Sequence, residues 1–284
     1  MSEKILVTGA KGQLGADIIK VLSHRGIAHK GVDLDDFDIT DREAVFEAIQ
    51  NYRPDAVIHC AAYTAVDKAE DEPERCRLIN EEGTKNIALA CKKAGAKMIY
   101  ISTEYVFAGD GEAFHTPNDP TAPLSVYGIS KAAGEKAVLE ILDQAFIVRI
   151  SGAFGVSGSN FVKTMLRLGK ERDRINVVCD QIGSPTYTAD LAPLLCDMAA
   201  TEKYGIYHAT NEDICSWAEF AREIFRLAGL DVKVNPILAS EYPAKAKRPY
   251  NSRLDKGCLD EAGFKRLPTW QDGLRRYLED EIFE

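Results

Sequence analysis

The feature that most constrains the fold is a glycine-rich stretch after the first apolar run. Ile5-Leu6-Val7 has the character of a short buried strand, and glycines follow it at 9, 12 and 15. Such glycines let the backbone turn tightly and approach a pyrophosphate, while the next helix directs its N-terminus at that charge. The stretch therefore predicts a strand–turn–helix unit that binds a dinucleotide. The residues expected to contact the cofactor are Gly9, Lys11, Gly12, Gln13, Leu14 and Gly15.

Strand-like and helical segments alternate through the first 150 residues. Helices separate short apolar strands predicted over 4–8, 30–33, 56–60, 97–102 and 146–150. This alternation, with short connections, is typical of a doubly wound parallel sheet with helices on both faces. We therefore predict an α/β fold of Rossmann type. Residues 1–150 would form the dinucleotide-binding domain and residues 151–284 mainly a smaller substrate-binding lobe, with some later elements extending the sheet.

Local signals mark where several helices begin. Thr40-Asp41-Arg42-Glu43 and Ser216-Trp217-Ala218-Glu219 both match the capping-box pattern. Pro73 suits the first turn of a helix that is predicted to run to about Ala94. The segment 238–252 is rich in Lys, Arg, Pro and Tyr, and we predict that it forms a binding loop.

Charge, apolar runs and cysteine usage limit the partners. The formal net charge of −9 argues against nucleic acid, because phosphate binding needs a basic surface. The longest apolar runs fall short of the ~20 residues that span a bilayer, and no secretory signal precedes the first strand. Seven cysteines without a C-x-x-C pair suit reduced thiols and suggest no metal site. We therefore expect a cytoplasmic protein that binds neither nucleic acid nor membranes.

A second pattern, Tyr127-Gly128-Ile129-Ser130-Lys131, brings a phenol and an ammonium onto one helix face. A free phenol has a pKa of about 10, and a neighbouring ammonium lowers it toward neutral pH. Thr103, at the end of the fourth predicted strand, offers a hydroxyl that can hold a carbonyl oxygen against the phenol. Downstream of the glycine turn, Thr103, Tyr127 and Lys131 predict carbonyl reduction with a nicotinamide cofactor.

The choice between NADH and NADPH stays open at the sequence level. Asp33 lies 18 residues after Gly15, near the spacing of the acidic residue that binds the adenosine ribose. A carboxylate there would repel a 2′-phosphate and favour NADH. Lys11, inside the turn, would instead neutralise that phosphate and favour NADPH.

Together these motifs resemble the extended short-chain dehydrogenase/reductase family. Longer matches resemble the branch of that family that acts on dTDP-linked 4-keto-6-deoxy sugars. The resemblance implies NAD(P)H-dependent reduction of the C4 keto group of dTDP-4-dehydro-L-rhamnose, and it allows a homodimer. The matching stretches are 64–70, 102–107, 123–128, 180–187 and 248–254.

The resemblance also implies roles for individual residues. Tyr127 would protonate the nascent C4 alkoxide, Lys131 would hold the nicotinamide ribose, and Thr103 would hydrogen-bond the substrate oxygen. Arg248 is expected to grip the diphosphate, because a planar guanidinium can donate two parallel hydrogen bonds. The remaining cofactor contacts would be Asp38, Ile39, Cys60, Ala61, Ala62 and Tyr63, and the remaining substrate contacts Val66, Glu104, Tyr105, Ser151 and Arg253.

The chain departs from the family pattern at the expected sugar site. The family's Ser-Thr-Asp-Tyr is Ser-Thr-Glu-Tyr here, which places Glu104 beside the reacting sugar. Its Arg-Thr-Ser-Trp is Arg-Ile-Ser-Gly, which puts Ile150 and Gly152 where the family has Thr and Trp. Loss of the indole predicts open space beside Gly152 and a broader range of sugars, unless Phe154 or Tyr105 fills the gap.

Two other functions remain open at the sequence level. The chain could reduce or epimerise another nucleotide-linked 4-keto hexose, and an epimerase would keep its cofactor bound. It could also be a regulatory subunit that uses the fold to bind a partner enzyme. The intact Thr103, Tyr127 and Lys131 argue against the regulatory role, because partner binding gives no reason to keep this constellation.

Overall fold

The computed structural model describes residues 3–283 of the 284-residue chain. Strands and helices alternate through the first half in the predicted order. In chain order these elements are β1 (Lys4–Thr8), α1 (Gln13–His24), β2 (Ala28–Val32), α2 (Arg42–Tyr52), β3 (Ala56–His59), α3 (Val66–Ala69), α4 (Pro73–Arg77), α5 (Thr84–Ala94), β4 (Lys97–Thr103), α6 (Val126–Ile141) and β5 (Ala145–Ile150).

After residue 150 the strands are short and pair mostly in small separate sheets. None of the helices found between residues 3 and 283 has the length and apolar character of a bilayer-spanning segment. In chain order the elements are β6 (Ala153–Phe154), α7 (Phe161–Glu171), β7 (Arg174–Val178), β8 (Ile182–Gly183), β9 (Thr186–Tyr187), α8 (Thr188–Ala199), β10 (Gly205–His208), β11 (Cys215–Ser216), α9 (Trp217–Leu227), β12 (Lys233–Ile237), β13 (Asn251–Ser252), α10 (Gly257–Glu261) and α11 (Trp270–Phe283).

The main sheet has six parallel strands in the order β10-β5-β4-β3-β1-β2. The chain passes from β2 across β1 to β3, so the strand order reverses beside β1. Ligands of open parallel sheets bind outside the carboxyl ends of the strands at such a reversal. The predicted doubly wound Rossmann-type sheet is confirmed. The domain division near residue 150 stays a prediction, and β10, from beyond that point, joins the sheet beside β5.

Helices cover both faces of the sheet. Consecutive residues of its strands point to opposite faces, and apolar residues therefore occur at neighbouring positions. Ile5 and Val7 of β1 point to the face that α1 and α8 cover. Leu6 points to the opposite face, where it joins Val45 of α2 and Ile87 of α5. Burial on both faces is the usual environment of a parallel strand.

Two helix boundaries differ from the prediction. The N-cap of α2 is Asp41 rather than Thr40, because the Asp41 carboxylate accepts from the backbone N–H groups of Glu43 and Ala44. The helix expected from Pro73 to Ala94 is interrupted by a π-helical turn over Leu78–Gly83. Such turns often occur at functional sites. Here Asn80 of that turn accepts from the Tyr63 backbone N–H and donates to the Tyr63 carbonyl.

The second half builds its own apolar core from α7, α9 and α11. The capping box predicted at Ser216 is confirmed: its hydroxyl accepts from the Glu219 N–H, and the Glu219 carboxylate accepts from the Ser216 N–H. This cap fixes Trp217 as the first residue of α9. The start of α9 faces the carboxyl edge of the main sheet, where Trp217 joins the lining of the large cleft.

Candidate functional site

A cleft of about 1070 Å³ opens at the carboxyl ends of β1, β3 and β4. Its walls include the glycine turn, the segment after β3 and the start of α6. Among the predicted site residues that line it are Gly9, Lys11, Gly12, Gln13, Leu14, Gly15, Asp33, Asp38, Ile39, Cys60, Ala61, Ala62, Val66, Thr103, Glu104, Tyr105, Tyr127 and Lys131.

The glycine turn at one end of the cleft tolerates no side chain at two positions. Gly9 has a φ of +66°, and a Cβ there would lie 2.7 Å from the Ala61 backbone nitrogen. A Cβ on Gly15 would lie 2.1 Å from the Gly9 carbonyl oxygen. The first turn of α1 therefore lies against bare backbone, with its free N–H groups at the cleft. This cradle fits the pyrophosphate of a dinucleotide.

Gln13 connects the glycine turn to the second half of the chain. Its side-chain oxygen accepts from the Gly155 backbone N–H at 2.9 Å and from Asn160 at 3.0 Å. Asn160 also caps α7 by accepting from the Lys163 N–H. The Gln13 side chain thus holds the 155–160 loop beside the turn, so the cofactor end of the cleft is closed by both halves of the chain.

Asp33 and Lys11 lie together at the adenosine side of the turn. The Asp33 carboxylate accepts from the Lys11 backbone N–H at 2.9 Å and from the Leu34 N–H. The Lys11 ammonium pairs instead with Asp35, and both of these side chains are exposed. A surface pair of this kind is worth little in water. The Asp33 carboxylate therefore keeps a fixed place at the cleft, while the Lys11 ammonium is only loosely held.

The phenol of Tyr127 and the hydroxyl of Thr103 face each other deep in the cleft. Ser125 caps α6 by accepting from the Gly128 N–H, which places Tyr127 in the first turn of that helix. Burial raises the pKa of Tyr127 above its usual value, the Glu104 carboxylate acts in the same direction, and Thr103 opposes both. Tyr105 packs edge-on against the Tyr127 ring at 5.4 Å.

Lys131 lies one turn after Tyr127 on the buried side of α6. Its ammonium donates to the Ile101 carbonyl at 2.6 Å and lies 4.0 Å from the centre of the Tyr100 ring. Burial lowers the pKa of Lys131 to about 7, against the opposing effect of Glu135. The predicted lowering of the Tyr127 pKa is not seen. Burial of the phenol raises its pKa, and the Lys131 ammonium, which would lower it, donates to the Ile101 carbonyl.

Glu104 is a buried carboxyl group next to the reacting hydroxyls. The Thr103 hydroxyl donates to it at 2.7 Å and the Ser151 hydroxyl at 3.1 Å. Burial raises the pKa of Glu104 to about 7, although these hydrogen bonds act in the opposite direction. The carboxyl group that the sequence places at the expected sugar site is therefore partly protonated and partly ionised near neutral pH.

A smaller cavity continues the cleft toward the second half of the chain. Arg248 lines it and donates to Asp67 through two nitrogens, at 3.0 and 2.7 Å. This pairing lowers the pKa of Asp67 to about 2. The other predicted substrate residues that line the smaller cavity are Glu104, Tyr105 and Ser151.

The space beside Gly152 is occupied by an aromatic ring from α9. A Cβ on Gly152 would lie 3.3 Å from the outer edge of the Trp217 indole. Trp217 also packs on Phe161, with ring centres 4.7 Å apart, and lines both cavities. Trp217 therefore takes up part of the space predicted to be open beside Gly152, which lines both cavities, and neither Phe154 nor Tyr105 comes within 4 Å of a Cβ at that position.

Known proteins share the sequence pattern and the fold of this chain. A sequence profile described as the RmlD substrate binding domain matches residues 3–282. The chain belongs to this family. Among its relatives, a dTDP-4-dehydrorhamnose reductase from Streptomyces griseus is 43% identical over 276 residues, which cover 95% of this chain and 91% of that protein. The resemblance inferred from the motifs is thereby confirmed.

Two further relatives bear on the site. The crystal structure of dTDP-4-dehydrorhamnose reductase from Bacillus anthracis in complex with NADP has a TM-score of 0.96 and 44% identity, and the match covers 99% of this chain and 100% of that one. A dTDP-4-keto-6-deoxy-D-glucose reductase from Streptomyces niveus is 34% identical, and the match covers 96% of each protein. Relatives of similar length thus carry the names of two different sugars.

Two predicted site residues of this RmlD family member lie outside both cavities. The Tyr63 hydroxyl donates to Glu72 at 3.1 Å, and Tyr63 does not line the cofactor cleft. Arg253 donates to the Asn251 side chain at 2.9 Å and lines neither cavity. Both predictions relied on neighbouring residues in a motif, and adjacent residues of an irregular segment point in different directions.

Among the lining residues that the sequence does not predict, Trp217 has the clearest bearing on the substrate end. Trp217 is 65 residues beyond Gly152 in the chain and meets it only through packing of the two halves. The capping box at Ser216 did identify Trp217 as the first residue of a helix. Nothing in that local signal indicates that the helix starts at the substrate end of the cleft.

Proposed function

We propose that this chain reduces the C4 keto group of dTDP-4-dehydro-L-rhamnose with NADPH or NADH, forming dTDP-L-rhamnose. The observation that carries the proposal is the meeting of Thr103, Tyr127 and Lys131 in one cleft beneath the glycine turn. The names of the RmlD family relatives and the NADP bound to the Bacillus anthracis enzyme support it.

Different side chains of this protein carry out different parts of the reduction. When bound, the nicotinamide supplies a hydride to the sugar C4. Tyr127 then gives its phenolic proton to O4; its raised pKa keeps the phenol protonated at neutral pH, and the far more basic alkoxide accepts the proton. Thr103 holds O4 beside the phenol, and Lys131 holds the ribose of the cofactor. Hydride and proton together convert the ketone to an alcohol.

The nucleotide sugar would lie along the continuation of the cleft. Arg248 faces the smaller cavity with a half-buried guanidinium, and its planar fork matches the oxygens of a diphosphate. Asp67 holds that guanidinium in place before the diphosphate arrives. The sugar ring would then lie between Tyr105 and Trp217, in reach of Tyr127.

The decisive experiment measures turnover of enzymatically prepared dTDP-4-dehydro-L-rhamnose with NADPH and, separately, with NADH. We expect stoichiometric oxidation of the cofactor and formation of dTDP-L-rhamnose. Sugar conversion without net cofactor oxidation, with cofactor copurifying, would instead identify an epimerase. Absence of any conversion, combined with tight binding to a second enzyme, would identify a regulatory subunit.

A second candidate substrate is another dTDP-linked 4-keto-6-deoxy hexose. Glu104 and Gly152 are departures from the family pattern at the sugar site, and the Streptomyces niveus relative is named for such a sugar. A panel of 4-keto-6-deoxy sugars, compared by kcat/KM, separates the candidates. A preference of at least tenfold for one sugar would assign the substrate.

Two further points stay predictions. The seven cysteines are free thiols in the described structure, which suits the reducing cytoplasm. Fractionation of cells that express the tagged chain would test this location. The homodimer can be tested by measuring the molar mass of the purified chain in solution at two protein concentrations.

A further inference from the structure

The Thr103 hydroxyl has one hydrogen atom, and two acceptors compete for it. The proposed function requires it to donate to the substrate oxygen. In the structure that hydrogen is directed at Glu104 Oε2, 2.7 Å away, while Thr103 Oγ1 accepts from the Tyr105 backbone N–H at 3.3 Å. An ionised carboxylate can only accept hydrogen bonds. As long as Glu104 is ionised, the Thr103 hydrogen is therefore engaged away from the substrate.

Protonation of Glu104 would reverse this hydrogen bond. A neutral carboxyl group has one O–H, which can donate to Thr103 Oγ1 and leave the Thr103 hydrogen free. The other carboxyl oxygen already accepts from the Ser151 hydroxyl at 3.1 Å, so the group is held on both sides. Glu104, Thr103 and Ser151 are all buried, with 6, 4 and 5% of their surface exposed. Water therefore has little access to compete for either orientation.

We propose that Glu104 is a positioning residue whose proton turns the Thr103 hydroxyl toward the substrate oxygen. The inference rests on the proposed function, because it concerns the same reduction. Neutral Glu104 also keeps a negative charge away from the alkoxide that develops at O4. Both effects favour catalysis when the carboxyl group is protonated.

The groups that face Glu104 make this proton exchange feasible near neutral pH. Burial raises the pKa of the carboxyl group to about 7. The phenols of Tyr105 and Tyr127 and the thiol of Cys215 have raised pKa values, so they stay neutral. The charged groups nearby are Lys131, across the cleft, and the Arg248–Asp67 pair in the adjoining cavity.

The direction in which kcat/KM changes with pH depends on which form of Glu104 is active. The active form carries the Glu104 proton, so kcat/KM should fall as pH rises through about 7, by about tenfold between pH 6 and pH 8. Deprotonation of Lys131, whose pKa is also lowered to about 7, would produce a similar fall. Variants at Glu104 and Thr103 distinguish these two sources.

The kinetic test compares pH profiles of the wild type, Glu104→Gln and Thr103→Val. The amide of Glu104→Gln donates to Thr103 Oγ1 at every pH, so its profile should lose the fall above neutral pH. Thr103→Val removes the hydroxyl that Glu104 orients, so kcat/KM should be lower and its fall above neutral pH smaller, with only the effect of the charge left. An undiminished fall in Glu104→Gln would assign it to Lys131, and an undiminished fall in Thr103→Val would assign it to the charge alone; either result overturns the proposal.

A second measurement needs neither substrate nor turnover. Infrared difference spectra of the wild type, referenced to Glu104→Gln, should show a protonated carboxyl band that disappears as pH rises through about 7. Thermal unfolding and NADPH binding of each variant verify that it is folded. A carboxyl group that stays ionised down to about pH 5 would overturn the proposal. Lack of turnover by the wild type, with the carboxyl band present, would refute only the proposed function.

Discussion

The two ends of the cleft are constructed differently. The cofactor end consists mainly of backbone from one short stretch, where Gly9 and Gly15 leave no room for a side chain. The substrate end consists of side chains from four distant stretches, represented by Glu104, Ser151, Trp217 and Arg248. A pyrophosphate is common to all dinucleotides, whereas a sugar is recognised by its substituents. Backbone suits the first task, and exchangeable side chains suit the second.

This difference indicates which part of the site tolerates substitution. Substituting a glycine of the turn would force backbone atoms apart, since the Cβ of residue 15 would lie 2.1 Å from a carbonyl oxygen. At the substrate end, the sequence resemblance implies a Trp at the position of Gly152, and Trp217 at the start of α9 supplies an aromatic ring beside it. We infer that aromatic surface can be supplied from different elements at this end.

The largest expected effect belongs to Tyr127, where the two ends meet. Tyr127→Phe removes the proton donor and keeps the ring that packs against Tyr105. We expect kcat to fall by about 10²–10⁴-fold, the usual contribution of a general acid, while the Kd for NADPH stays within about twofold. Stopped-flow turnover and fluorescence titration of the cofactor measure the two quantities. Near wild-type kcat in a stable Phe variant would remove Tyr127 from the reaction.

The next effect should be confined to the substrate end. Trp217→Ala opens the space beside Gly152, so discrimination among 4-keto sugars should weaken by roughly 10–200-fold in kcat/KM ratios. Trp217→Phe is the matched control, because it keeps an aromatic surface against Phe161. Gly152→Trp would place an indole on the opposite side of that space. This substitution should destabilise the folded state, because Gly152 has a φ of +53°. An unchanged sugar preference in Trp217→Ala would mean that the indole only supports the fold.

Arg248 tests whether the two ends bind their ligands independently. Arg248→Ala should raise the KM for the nucleotide sugar by about tenfold and leave the KM for NADPH unchanged, with the larger effect at low salt. Arg253→Ala provides the control, because its guanidinium is directed at Asn251 and lines neither cavity. Equal effects of Arg248→Ala on both KM values would show that it does not act at the diphosphate.

The smallest effect is expected at the exposed edge of the cofactor end. Asp33→Ala removes the acceptor for the adenosine ribose and the repulsion of a 2′-phosphate, so the NADH-to-NADPH ratio of kcat/KM should fall about fivefold. Asp35→Ala is the matched control, since Asp35 pairs with the Lys11 ammonium and does not line the cleft. Freeing that ammonium should favour NADPH slightly. A constant ratio in Asp33→Ala would place its carboxylate beyond reach of the ribose.

Sequence reasoning performed well where function depends on contiguous residues. The strand and turn around Gly9, the helix that carries Tyr127 and Lys131, and the capping box at Ser216 all lie where local signals predict them. The direction of a side chain is not fixed by such local signals. Tyr63 and Arg253 belong to matching motifs, yet each donates to a neighbouring side chain outside the cleft.

The sequence by itself determined the parallel sheet, the glycine turn and the spacing that puts Tyr127 and Lys131 on one helix face. These features depend on chain periodicity and on backbone sterics, which are local properties. Only the tertiary structure decided that Trp217 lies against Gly152, that Asp67 holds Arg248, and that Glu104 has a pKa near neutral. Each of these depends on which distant groups share a buried volume, because packing and desolvation are set by the whole fold.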